Sequence, residues 1–338
     1  MSTQRKELVA IAHAVTGMNE VALKYLTVMF NRISIQGLFV DFSRTSLISP
    51  DFAKVRASLA ELGVLFDLDP AKLRSSTVHD YDKTRELIIE DANLYTQPTF
   101  GMSAEEMSAA RHDEAIAAEI KKRGAEASKK LEDGSLDPVK IMEISLRLST
   151  NMTRMFACQL RDVEDVDAYL VMFPELSSFE QDDPRLMKHD VVRMYIGALP
   201  VPVAHAPWQQ LIDFRNDSDA NGSFLLIKEW MSEVACASFK PVQMEETLEY
   251  LLNRFRTNLE SHGIDTTTIP LWSYVVTTPE LSEPLRGVGP KNGTRGIFWI
   301  EHCRIGLLPG ESTSAGSVLA FLPQIDLGLR EVAEGKST

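Results

Sequence analysis

Apolar residues recur at steps of three and four along most of this chain, and short β-branched or aromatic runs lie between those stretches. The N-terminal MSTQRKELVAIAHAVTG reads as a first helix. Ala22, Tyr25, Leu26, Met29 and Ile33 make one apolar stripe and predict a core helix. IQGLFVDF (35–42) predicts a strand. Ser49 as N-cap, Pro50 at the first turn, the stripe Phe52, Val55, Leu59, Leu62 and the stop Gly63 predict another helix. VLFDLD (64–69) alternates like a half-buried or edge strand, and a helix over 78–95 ends at the breaker PTFG (98–101).

Ser103 and Glu106 form a capping box at the head of a charged segment reaching about residue 131. Its pairs Glu119/Arg123 and Glu126/Lys130 suit an exposed helix, and its sparse apolar positions leave it little to bury. Asp137 and Pro138 then cap a core helix striped by Ile141, Ile144, Leu148, Met152 and Met155. AYLVMF (168–173) and VVRMYIGA (191–198) are strand candidates, and the proline-bearing link LPVPVAHAP (199–207) marks a subdomain boundary. Two amphipathic helices flank the turn DSDANG within 208–235, and a third runs from Pro241 to Gly263. These three are expected to pack as a bundle. IPLWSYVVTT (269–278) fits strand or short helix. GIFWIEHCRIGLL (296–308) and SVLAFLP (317–323) read as a C-terminal β-hairpin.

The fold class expected is therefore helix-rich α+β, with a mixed N-terminal region, a helical section near 207–263 and the hairpin. The domain reading is a mixed helix and strand region, 1–199, carrying the exposed charged helix near 103–131, then a helical section plus hairpin, 207–330. The two can also form one continuous domain.

Composition narrows the function classes. With 338 residues, 44% of them hydrophobic, the chain can bury a large core. The net charge of −13 argues against a nucleic-acid binder, which needs clustered positive charge. Cys158, Cys236 and Cys303 are far apart and form no CxxC pair, so a reducing, cytoplasmic interior is expected. No run approaches the roughly 18 apolar residues of a membrane span.

One run fits a ligand pattern. In DSDANG, Asp217, Asp219 and Asn221 take the first, third and fifth positions of an EF-hand calcium loop, with Gly222 sixth. The twelfth position, where a bidentate glutamate belongs, holds Lys228, and Glu229 comes one residue late, about 100° further round a helix. Asp, Ser, Asn and Gly are also the ordinary residues of a turn between helices.

The other motifs are weaker. GVGPKNGTRG (287–296), with Lys291 and Arg295, leads into a strand, whereas a phosphate cradle opens a helix. GESTS lacks the second glycine of a nucleophile elbow, so Ser312 and Thr313 read as turn residues. The terminal GKS (335–337) has no following helix. HDE (112–114) lacks the downstream cysteines of a zinc deaminase. His302 and Cys303, adjacent on a strand, face opposite sides.

No cofactor is called for, and no catalytic constellation stands out. The leading expectation is an interaction or accessory protein with a protein partner. A second is a metal-dependent hydrolase or nuclease using dispersed carboxylates such as Asp162, Asp165 and Asp167, from an acidic stretch with eight carboxylates and no lysine or arginine between Asp162 and Asp183. A third is a weak calcium-binding module at Asp217, Asp219 and Asn221.

Overall fold

LVAIAH, at the head of the chain, is a strand and not the expected first helix: β1, Leu8–His13. Val9, Ala10, Ile11 and Ala12 are all fully buried. The five-residue run Leu8 to Ala12, apolar at every position, has no solvent face, which suits a parallel strand covered on both sides. The computed structural model describes residues 6–13, 20–36, 50–68, 73, 81–109, 114–171, 183–236, 241–278, 297–311 and 313–323.

β1 pairs in parallel with β2 (Arg32–Gln36) on one side and with β3 (Asp167–Val171) on the other. β7 (Val318–Pro323) runs parallel to β3. Beyond it β5 (Thr266–Val276), β4 (Met187–Pro202) and β6 (Phe298–Leu307) continue antiparallel, giving the order β2-β1-β3-β7-β5-β4-β6 among the described residues.

The expected C-terminal hairpin is not there. β6 is the edge partner of β4, and β7 inserts between β3 and β5. The cause lies in the side chains: β7 is buried at every position, whereas β6 has a half-exposed middle. A strand apolar on both faces is stable only inside a sheet.

Alternation along the strands sends their residues to two helical layers. Leu8, Ala10, Ala12, Tyr169, Val171 and Phe321 join the larger core. There they meet α1 (Glu20–Met29), α7 (Trp208–Asn216), α9 (Ser223–Cys236) and α10 (Pro241–Ser261), with the short α8 (Ser218–Asn221) between. Helices thus occupy 208–216, 223–236 and 241–261, and they lie against the sheet. Leu59 of α2 (Pro50–Glu61) reaches the same core, and Gly63 behind it has φ 71°, a left-handed stop. Val9, Ile11 and Ala168 point the other way, onto Ala157 and Leu160 of α6 (Pro138–Glu164). α3 (Asp82–Phe100) packs on α6 in turn.

Local signals hold where both halves of the signal are on the chain. Asp137 Oδ1 accepts from the Val139 and Lys140 amides at 2.9 and 3.3 Å. Ser103 and Glu106 exchange backbone-to-side-chain bonds of 2.7 and 3.2 Å at the head of α4 (Ala104–Ala109). The charged helix α5 (Glu114–Glu132) is docked against α3. Arg123, paired with Glu119 at 2.9 Å, donates to the Phe100 and Gly101 carbonyls that end α3, and Ala127 is buried. α3 carries Pro98 inside its last turn and runs to Phe100, past the expected end at 95, with Gly101 as its left-handed cap.

Two further segments differ from their reading, and a third takes one of its two expected forms. VLFDLD contributes only an isolated bridge, Ile33 to Leu65. Leu199 to Pro202 continues β4 and pairs with β5. The ambiguous IPLWSYVV is strand throughout. Residues 37–42, the Ser49 cap, HD at 112–113, GVGPKNGTRG, Ser312 and GKS lie outside the described residues. Among the described residues no helix is long and apolar enough to cross a membrane.

Candidate functional site

Where β3 and β7 begin and β5 ends, the sheet opens into a cleft of about 780 Å³. That volume falls in the range of small-molecule sites, roughly 300–1,000 Å³. One wall is the end of α6, where Cys158, Arg161 and Asp162 share a face by their spacing of three and four. The other wall is α9. Lys228, Ser232, Glu233 and Cys236 form its cleft stripe, while Phe224, Ile227, Trp230, Met231 and Val234 bury its opposite side. Asp167 and Tyr169 of β3 make the floor, and the loop from Gly310 to Ser317 makes the rim.

The rim is held by two glycines and a buried ion pair. Gly310 has φ 91°, and a Cβ there would stand 2.8 Å from the Tyr81 ring. Gly316 has φ 84°, and its Cβ would stand 2.5 Å from Cys236 Sγ. Both need the left-handed region and the missing side chain. Arg154, buried on α6, forks onto Glu311 with Nε to Oε1 at 2.9 Å and Nη2 to Oε2, and also donates to the Gly306 carbonyl at 2.8 Å. Glu311 Oε2 accepts from the Leu308 amide at 2.6 Å as well. Thr84 Oγ1 donates to the Pro309 carbonyl at 2.7 Å, tying α3 to the same loop.

Most charges in the cleft are already matched. Lys228 Nζ meets Asp167 Oδ2 at 3.0 Å beside the Tyr169 ring. The Tyr81 hydroxyl donates to Asp162 Oδ2 at 2.6 Å; burial, then that bond, hold its pKa far above the usual phenol value, so it stays a donor. Burial likewise raises the Tyr169 hydroxyl, with the charge of Asp167 adding to it. Burial pushes the Cys158 thiol up to about 11 although Arg161 pulls the other way, so at neutral pH it is a thiol.

Arg161 differs from the other cations of the site. It donates to the Ala157 carbonyl at 3.3 Å and to Cys158 Sγ at 3.1 Å. Among the described residues no carboxylate lies within ion-pair distance of it, and guanidinium N–H groups are left over. Burial works against its charge, but the nearby Cys158 and Glu311 outweigh that and keep its pKa raised.

The carboxylates singled out in the sequence separate. Asp162 and Asp167 line the cleft, each with a partner of its own. Asp165 does not join them: it is the αL cap of α6 at φ 54°, largely exposed and paired with Lys6 at 2.5 Å. Among the described residues no three histidines, cysteines or carboxylates gather as a metal centre.

The DSDANG run is helical from Ser218 to Asn221, so its alternate positions wind round an axis and do not line an extended loop. Asp217 Oδ1 accepts from the Asp219 and Ala220 amides at 2.9 and 3.2 Å, and Oδ2 lies 3.4 Å from His262 Nε2. Those backbone bonds hold its carboxyl below the usual range. Asp219 is exposed.

Arg161, Cys158, Ser232, Glu233 and the rim glycines carry no motif, but one signal points to them. Arg154, Cys158 and Arg161 recur at steps of four and three on one face of α6, and a buried arginine requires a partner nearby. GESTSAG, a hydroxyl-rich loop bracketed by glycines, is the other half of that signal. Compared with models of known families, with curated proteins and with solved structures, the chain matches none.

Proposed function

We propose that this protein works by reversible binding and that the cleft between α6 and α9 takes a small polar ligand. The observation that carries this is Arg161, a half-buried cation in the cleft wall with donors unspent and no carboxylate on it among the described residues. The surrounding hydroxyls of Ser232, Thr313, Ser314 and Ser317 offer further polar contacts, and polar groups converging on a concave site are what fix a ligand's orientation. The matched pairs Lys228–Asp167 and Arg154–Glu311 make the site rigid before anything enters, which lowers the entropy cost of binding.

A thermal-shift screen over a metabolite library tests the reading, because a ligand that binds only the folded state raises the melting temperature by mass action. The expected result is at least one compound with a saturable shift that Thr313→Trp, at the exposed rim, removes. A library without such a compound overturns the reading.

A second reading, an accessory role toward a protein partner, is favoured by the helical lobe. Val139 and Met142 on α6 and Ile89 and Leu94 on α3 are large apolar side chains left 42–58% exposed. Val139→Glu with Met142→Glu tests it: a partner seated there is lost, and one that stays bound removes the reading. The metal-dependent alternative requires carboxylates freed from their present partners, Tyr81 and Lys228.

A further inference from the structure

Six charged side chains, of both signs, line the cleft, and the pairs they form narrow the ligand. Lys228 closes on Asp167, Glu311 closes on Arg154, and Asp162 accepts from Tyr81. Two charges are not closed among the described residues: Arg161 on the α6 wall, and Glu233 on the α9 wall, exposed. The walls belong to helices on opposite faces of the sheet, so the two charges address a ligand from opposite sides.

We infer that the ligand is a zwitterion of the amino-acid class, its carboxylate on Arg161 and its ammonium toward Glu233. A guanidinium matches a carboxylate bidentately, and the Thr313 and Ser314 hydroxyls beside the cleft can complete the carboxylate's hydrogen bonds. A dianion such as phosphate fits worse. It would bring two negative charges among Asp162, Asp167, Glu233 and Glu311, against two cations of which Lys228 is already engaged. A purely cationic ligand would leave Arg161 desolvated and facing a like charge. One positive and one negative end satisfies both walls.

The inference rests on the cleft being a binding site, and the experiment separates the two claims. Calorimetric titrations use the full chain and a ladder of zwitterions: glycine, β-alanine, γ-aminobutyrate, 6-aminohexanoate and glycylglycine. Acetate, butylammonium, inorganic phosphate and glucose serve as controls. At least one ladder member binds saturably and tighter than acetate or butylammonium by tenfold or more. Arg161→Gln and Glu233→Gln each weaken it at least tenfold, with unchanged circular dichroism. A ladder that binds nowhere, or equally well in both variants, overturns the zwitterion. If phosphate or glucose binds instead and Thr313→Trp abolishes that binding, the zwitterion falls and the cleft stands. If no ladder member, no control and no library compound responds to Thr313→Trp, both fall.

Discussion

Arg154 and Arg161 sit two helical turns apart on α6 and meet opposite surroundings. Arg154 is 1% exposed and spends its guanidinium on Glu311 and the Gly306 carbonyl. The region behind it is equally closed: Asp91, fully buried, takes Arg147 and Arg185 at 2.8 Å each and Asn151 at 3.4 Å. Arg161 faces the cleft with donors to spare. Both regions carry dense charge, and only the leftover capacity differs. A saturated network fixes the fold, because each buried charge is costly unless paired. An unsaturated one at a concave surface is where a ligand gains.

The comparison breaks most visibly at Glu311. Replacing Glu311 with Ala leaves Arg154 buried without its carboxylate and should cost about 3–5 kcal/mol in urea unfolding. Replacing Arg161 with Gln should change stability by no more than about 0.5–1 kcal/mol, since it breaks no ion pair. If the two variants lose similar stability, Arg161 is structural and the contrast is wrong. The paired change Arg154→Met with Glu311→Leu should recover most of the loss, because no uncompensated charge remains.

Next in size is the rim. Gly316→Ala forces a side chain into φ 84° at about 1–2 kcal/mol, with a clash on Cys236 Sγ besides. Cys236→Ala in the same chain should relieve the clash and leave the backbone cost. Full recovery would mean the left-handed conformation imposes no strain, and no recovery would mean the thiol is not in the way.

The closed region also carries a pH signature. Hydrogen bonds from Arg185 hold the Asp183 carboxyl below its ordinary value of 3.8. A depressed carboxylate stabilises the fold fully above its unfolded pKa and loses that contribution as pH falls through its folded pKa. Its contribution to unfolding free energy should therefore be flat from pH 7 to 5 and decline below about pH 4. Asp183→Asn should flatten part of that decline, and an unchanged acid limb would remove Arg185 as the cause.

How far these regions could be read from sequence follows the range of each signal. Asp137 with Pro138, Ser103 with Glu106, and Gly63 or Gly263 closing their helices all lie within a few residues of their partners, and all appear as read. Strand order is a long-range competition. β6 and β7 are neighbours in sequence, yet β4 takes β6 across more than a hundred residues, and β7 goes to the middle because VLAFLP is apolar at every position. The same unbroken apolarity in LVAIA (8–12), inside the stretch expected to be a first helix, marks β1. The cleft is harder still, since α6, β3, α9 and the rim loop each supply one or a few side chains with no spacing between them. Lys228 shows the difference. In sequence it is only the residue that spoils a calcium loop, and in the fold it closes on Asp167 in the floor of the site.

The smallest expected effect concerns that loop. Asp217 shows the same saturation as the closed region on a small scale, with Oδ1 committed to two amides and Oδ2 beside His262. A cation there would have to displace the amides that cap α8, and Lys228, at the position of the bidentate ligand, points into the cleft instead. Terbium titration, read by luminescence, should give no saturable signal at micromolar metal, and Asp217→Ala should leave the trace unchanged. A saturable signal lost in Asp217→Ala would make the turn a calcium site and show that a carboxylate already spent on capping can still be recruited. The line between closed and open charge would then have to be drawn by the energy of each hydrogen bond and not by its presence.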